Sequence, residues 1–149
     1  MSGNLLTIDL TRGTTGVRTL DPQLFRDFVG GASLAAKLLY ESLTPDLDPL
    51  SPDNPLLFLT GPLTGSSGPA VGRYVVCAKS PATNIWAESN CGGFFGPEIR
   101  FAGYDGILFT GRASSPLYVW IKNEKIELRD ASHLWGGDPY ETQTRIKKE

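Results

Sequence analysis

Polar and apolar residues alternate at the start of the chain, where Leu5, Ile8 and Leu10 are interleaved with Asn4, Thr7 and Asp9. A period of two predicts a strand with one buried face. Residues 12–16 read as a turn into a second strand over 17–20, so a hairpin opens the chain. The spacing then changes. Asp21 and Pro22 form an N-cap and first-turn pair, and Leu24, Phe25, Phe28 and Val29 make the apolar stripe of a short helix that Gly30 and Gly31 stop. Residues 32–43, with Leu34, Ala35, Leu38 and Leu39 at helical spacing, predict a second helix, and residues 44–55, with four prolines, a surface loop.

Four short β-like segments follow at 56–60, 73–78, 85–89 and 106–110; their apolar character predicts central strands. Phe94, Phe95, Ile99 and Ala102 place a helix over 94–102. Residues 117–121 and 125–128 form a hairpin, and Asp138, Pro139 and Glu141 start a helix that runs to Glu149. No Gly, Pro or polar stop closes that helix, which is the pattern of a single domain, 1–149, cut from a longer chain at its C-terminal end. Strands and helices do not alternate regularly, so the expected class is α+β: a mixed β-sheet base with short helices.

Length and charge narrow the function. A chain of 149 residues with 40% hydrophobic content builds one ordinary core. A net charge of -2 with scattered Lys and Arg gives no field for nucleic acid. No leader and no long apolar run is present, so a cytoplasmic protein that does not cross a membrane is expected. Cys77 and Cys91 have no CxxC partner, so they supply neither a disulfide framework nor an iron-sulfur site. A metal here needs other ligands.

Glycine is the compositional outlier, with 17 residues concentrated in the middle of the chain, where backbone must turn sharply or meet a ligand closely. In GPLTGSSGPAVGRY, Gly61, Gly65, Gly68 and Gly72 surround Thr64, Ser66 and Ser67 ahead of Arg73, offering N–H groups, hydroxyls and a guanidinium to an anion. The plainer reading is a long turn before an ordinary strand. In ESNCGGFFGPEIRFAGYDG, Asn90 ends a strand and Gly92, Gly93 and Gly96 lead into a helix, which suits a phosphate. There the plainer reading is a crossover that merely packs. Two such segments after successive strands favour a shared site.

Other residues carry less. His133 lacks a catalytic partner at recognisable spacing and reads as structural, Glu88 and Glu98 as solvated or ion-paired carboxylates, and Trp86, Trp120 and Trp135 as core or sheet packing. Cys91 lies near a helix start, where a thiol can be activated, but reads better as a small residue filling its place.

Taken in order, FVGGASLAAKLLYE, DPLSPDNPLLFLTGPLTG, GRYVVCAKSP, ESNCGGFFGPEIRFAGYDGILFTGRA and DASHLWGGDPYET resemble the N-terminal domain of the tungsten-containing aldehyde ferredoxin oxidoreductase family over nearly the whole chain. The resemblance implies tungsten held by the sulfurs of two pterins, with magnesium bridging their phosphates. It places Arg73 between pterin and a [4Fe-4S] cluster, Asn90, Gly92 and Gly93 along the pterin, and the Asn90 backbone carbonyl on magnesium. Cys91 stands where many relatives have serine. It further implies oxidation of an aldehyde to a carboxylic acid, ferredoxin as electron acceptor, and a homo-oligomer as one arrangement. The cluster cysteines and substrate pocket would lie in remaining domains of the enzyme, so this chain alone is an incomplete catalyst, and molybdenum is not distinguished from tungsten. A noncatalytic interaction or assembly subunit built on the same domain, and a generic phosphate-ligand binding module, are the competing readings.

Overall fold

The computed structural model describes residues 3–149. The opening hairpin forms as the alternation predicts: β1 (Asn4–Asp9) pairs antiparallel with β2 (Thr14–Thr19). Two helices follow, α1 (Pro22–Phe28) and α2 (Gly31–Tyr40). The Asp21 side chain caps α1 by accepting from the Gln23 amide at 2.8 Å. Then come β3 (Leu56–Thr60), β4 (Tyr74–Lys79), β5 (Trp86–Cys91), α3 (Phe95–Phe101) and β6 (Gly106–Thr110). A hairpin, β7 (Leu117–Lys122) with β8 (Lys125–Asp130), and α4 (Pro139–Ile146) complete the chain.

Six strands form one sheet in the order β2-β1-β6-β3-β4-β5. The β1–β6 pair is parallel and the others antiparallel, so the sheet is mixed. Alternation divides it into two buried faces. Leu5, Leu57, Leu59, Val75 and Cys77 point to α1 and α2, where Leu34, Ala35, Leu38 and Leu39 cover them. Leu6, Ile8 and Ile107 point the other way, against Ile99 of α3 and the Val119, Ile121, Ile126 and Leu128 side chains of the β7–β8 hairpin. The result is a sheet between two covering layers, as expected of an α+β base with short helices.

Four expectations need correction. β5 is an edge strand, paired only with β4 and mostly exposed, because its Glu88, Ser89 and Asn90 suit water better than a second neighbour. Val29 does not extend the apolar stripe of α1; it adopts φ 64 beyond the helix end and is 60% exposed. The tryptophans are not core residues: Trp135 is 78% exposed, and Trp120 packs on the hairpin surface with the Arg129 guanidinium 4.3 Å from its ring centre. Gly31, read as a stop, instead begins α2.

Two buried polar groups tie loops to the sheet. Asp105, wholly buried, accepts from the Gly3 and Asn4 amides at 2.6 and 3.1 Å and pairs with Arg100 of α3. Its backbone carbonyl accepts from the Thr60 amide and hydroxyl at 2.9 and 2.7 Å, which fixes the end of β3. At the other end of the sheet, Lys79 Nζ donates to the Pro45 and Leu47 carbonyls at 2.6 and 2.7 Å. Asn54 links the same loop to the Lys79 backbone. Cys77 lies in the core, where burial first, and the charge of Glu88 second, push its thiol up to about 12. It is chemically inert.

Candidate cofactor-binding cleft

The register of β4 with β5 sets Val75 opposite Asn90, and residues directly opposite in an antiparallel pair share a face. Arg73, one residue before β4, reaches across the same edge: its Nη1 donates to Asn90 Oδ1 at 2.8 Å. The two residues picked out from separate motifs therefore meet at one edge of the sheet. Both are solvent-exposed, so the rest of the Arg73 guanidinium fork remains presented to a ligand.

They line a cleft of about 400 Å³ whose walls are Leu59 and Val75 from the sheet, Thr64 and Val71 from the Gly61–Gly72 segment, and Gly31 and Ala32 from α2. The start of α2 is capped by Gly30 with no side-chain hydrogen bond, which leaves first-turn N–H groups at the cleft without a side-chain acceptor. The sequence reading missed this contribution. A double glycine before a helix, with no Ser, Thr, Asp or Asn cap, was the available signal.

Gly92 and Gly93 do not line the cleft; they carry the chain from β5 toward α3. Gly93 joins the site indirectly. A Cβ on Gly72 would lie 2.5 Å from the Gly93 carbonyl oxygen, so the two glycine-rich segments touch backbone to backbone. Gly92 has open space around it. Cys91 faces Tyr74 across the sheet, on the side away from the Val75–Asn90 pair, and is separated from α3 by three residues. Tyr74 has its hydroxyl pushed up, first by its hydrogen bond with Cys91 and then by burial. His133 contacts Glu149 at 2.7 Å far along the chain, and Glu88 and Glu98 are exposed, as their structural readings require.

Among the described residues, no group of three His, Cys, Asp or Glu side chains is arranged to hold a metal. Over residues 5–149 the sequence matches the aldehyde ferredoxin oxidoreductase N-terminal domain. The chain belongs to the aldehyde ferredoxin oxidoreductase family. It is 46% identical over 147 residues to the tungsten-containing aldehyde ferredoxin oxidoreductase of Pyrococcus furiosus, and 44% identical over 147 residues to that of Thermococcus kodakarensis. The WOR-like subunit of an aliphatic sulfonate oxidoreductase from Pyrococcus furiosus is 38% identical over 151 residues. Each match covers 99% of this chain, which spans 24% of the length of each relative. The solved active-site complex BamBC of benzoyl coenzyme A reductase, with 1,5-dienoyl-CoA, superposes with a TM-score of 0.96 at 40% identity, covering 99% of this chain and 22% of that one. The family and the mixed-sheet fold agree with the sequence reading. No helix among the described residues is long and apolar enough to cross a membrane.

Proposed function

We propose that this chain is the cofactor platform of a tungsten oxidoreductase, with Arg73, Asn90 and the adjoining Gly92–Gly93 backbone holding one pterin. The observation that carries this reading is the Arg73–Asn90 pair, a cation positioned by an amide in a cleft with otherwise largely apolar walls. The residues fit such a group. The cleft offers a guanidinium and uncapped helix N–H groups to phosphate oxygens, while the Gly72–Gly93 contact keeps the surrounding backbone low. The Asn90 carbonyl is the candidate magnesium contact.

When bound, tungsten would supply two-electron redox chemistry. An aldehyde and water would give a carboxylic acid, two protons and two electrons, and the electrons would leave through a [4Fe-4S] cluster to ferredoxin. In this division of labour Arg73 binds and orients: its fork takes anionic oxygens, and its fixed charge favours reduction of a nearby centre. Asn90 holds Arg73 in place, since its Oδ1 accepts from one of the guanidinium nitrogens. Cluster ligands and substrate acid-base groups belong to remaining domains. Aldehyde as substrate class is supported by 46% identity to an aldehyde oxidoreductase, against 38% to the sulfonate relative and 40% to BamBC.

The experiment is tungsten content of the full-length enzyme, wild type against Arg73→Ala, with folding verified by circular dichroism. Loss of a charge-assisted hydrogen bond predicts about tenfold lower occupancy when tungstate is limiting. A folded alanine variant with full tungsten would reduce Arg73 to a strand-flanking residue. Wild type that binds inorganic phosphate but no tungsten would instead favour a phosphate-ligand module.

A further inference from the structure

We propose that Thr64 is a positioning residue for Arg73: its hydroxyl clamps the Arg73 backbone and thereby sets where the guanidinium enters the cleft. This inference rests on the reading of Arg73 as a cofactor-binding residue. Thr64 is 7% exposed and lies inside the Gly61–Gly72 segment. Its Oγ1 donates to the Arg73 carbonyl at 2.7 Å and accepts from the Gly61 amide at 3.1 Å. One hydroxyl thus joins the residue after β3 to the residue before β4. Both of its hydrogen-bonding roles are used within the protein, so Thr64 is not free to serve as the ligand donor its sequence context suggests.

The same carbonyl is held from another direction. A Cβ on Gly96, in the first turn of α3, would lie 3.3 Å from the Arg73 carbonyl oxygen, 3.0 Å from that of Gly72 and 3.2 Å from Thr64 Cγ2. The Arg73 peptide is therefore fixed between a hydroxyl and a helix turn. An arginine side chain is long and samples many rotamers, so the direction in which its Cα–Cβ bond leaves the backbone restricts where the head group can go. Rotation of this peptide would carry the guanidinium away from Asn90. Both halves of threonine are used: the hydroxyl binds, and the methyl packs beside Gly96.

The test measures tungsten per polypeptide and thermal midpoint in the full-length enzyme, produced with limiting tungstate and isolated by gel filtration. Five variants are compared: Thr64→Val, Thr64→Ser, Gly96→Ala, Arg73→Ala and Asn54→Ala. Thr64→Val keeps the shape and removes the hydroxyl, and is expected to lower occupancy about fivefold, while Thr64→Ser restores it to within about twofold of wild type. Asn54→Ala weakens the Lys79 end of the sheet and is expected to lower the midpoint with tungsten retained. A fully loaded Thr64→Val overturns the proposal, and so does Asn54→Ala losing tungsten in the same proportion to its stability loss. Should Thr64→Val fail to fold, Gly96→Ala, which crowds the same carbonyl with the hydroxyl intact, carries the test: lowered occupancy supports the clamp and full loading overturns it. If Arg73→Ala retains tungsten, the reading of the site falls and the clamp with it. If Arg73→Ala loses tungsten while Thr64→Val keeps it, only the clamp falls.

Discussion

Lys79 and Arg73 flank the same strand, β4, six residues apart, and their surroundings are opposite in kind. Lys79 is 5% exposed and its ammonium is bound by carbonyls of Pro45 and Leu47. Arg73 is exposed and bound to a single amide oxygen, that of Asn90. The loops explain the difference. Residues 44–55 contain four prolines, which have no N–H, so that loop has more acceptors than donors and draws in a cation from the sheet. Residues 61–72 contain four glycines and three hydroxyl residues, and supply donors of their own. One loop consumes its cation to complete the fold, while the other leaves its cation available to an anion. A basic residue at a strand end is thus structural or functional according to the donor balance of the loop it meets.

The strongest challenge to that contrast is Lys79→Ala. It removes a buried charged donor and leaves two partly buried carbonyls without it, so unfolding free energy should fall by about 2 kcal/mol, measured by denaturant titration. Tungsten per folded chain in the full-length enzyme should stay unchanged. Equal loss of tungsten would mean that the two ends of β4 are coupled and the contrast is false.

Gly72→Ala comes next. The added methyl would sit 2.5 Å from the Gly93 carbonyl oxygen, so the two glycine-rich segments must separate. A stability loss of about 2 kcal/mol is expected, with cofactor occupancy falling as well, since the cleft edge itself is displaced. Gly92→Ala meets open space and should cost nothing comparable in stability. Similar behaviour of the two variants would show that backbone contact at Gly72 is not what shapes the edge.

Arg73→Lys and Arg73→Ala sharpen the comparison from the functional side. Thermal stability should change by no more than about 0.5 kcal/mol, because an exposed residue with one partner contributes little to folding. Occupancy should fall for both, since lysine keeps the charge but loses the planar fork. Preserved occupancy in the lysine variant would assign the role to charge alone.

Local pattern revealed most of the elements. Asp21–Pro22 and Asp138–Pro139 announce their helices through cap chemistry that needs no tertiary partner, and both caps form. Pairing was less legible. β1 lies beside β6, about a hundred residues away, and β5 was mistaken for a central strand because its length and position outweighed its polar residues. The site was read half from chemistry and half from family resemblance. Arg73 and Asn90 lie in motifs that suggest anion binding, but their 2.8 Å contact depends on β4–β5 register, which no local window contains. Asp105 and Lys79 escape notice, and Thr64 reads as a ligand donor, for a related reason: a buried polar residue looks like a surface one until its distant partners, here Gly3, Pro45 and Arg73, are known.

Glu127 provides the smallest and most exacting comparison, because it engages two cations at the surface. Arg129 Nε and Nη2 donate to its Oε2 at 2.8 and 2.6 Å, and Lys125 approaches Oε1. Hydrogen bonds from Lys125, then Arg129, hold its carboxyl below the usual value of 4.5. A carboxyl lowered in the folded state stabilises the fold fully above its unfolded value, and that contribution disappears as pH falls through the lower native value. Wild type and Glu127→Gln should therefore differ slightly near neutral pH, and the gap should close as the solution is acidified through and below the usual carboxylate range in denaturant titrations. Added salt should shrink it too, since both cations are solvated. Lys79, by contrast, is itself buried and works against uncharged carbonyls, so its contribution should resist the same salt. A Glu127→Gln gap that survived acid and salt would show that this exposed pair acts through shape and not charge, and that burial is not what separates the structural cations of this domain from the available ones.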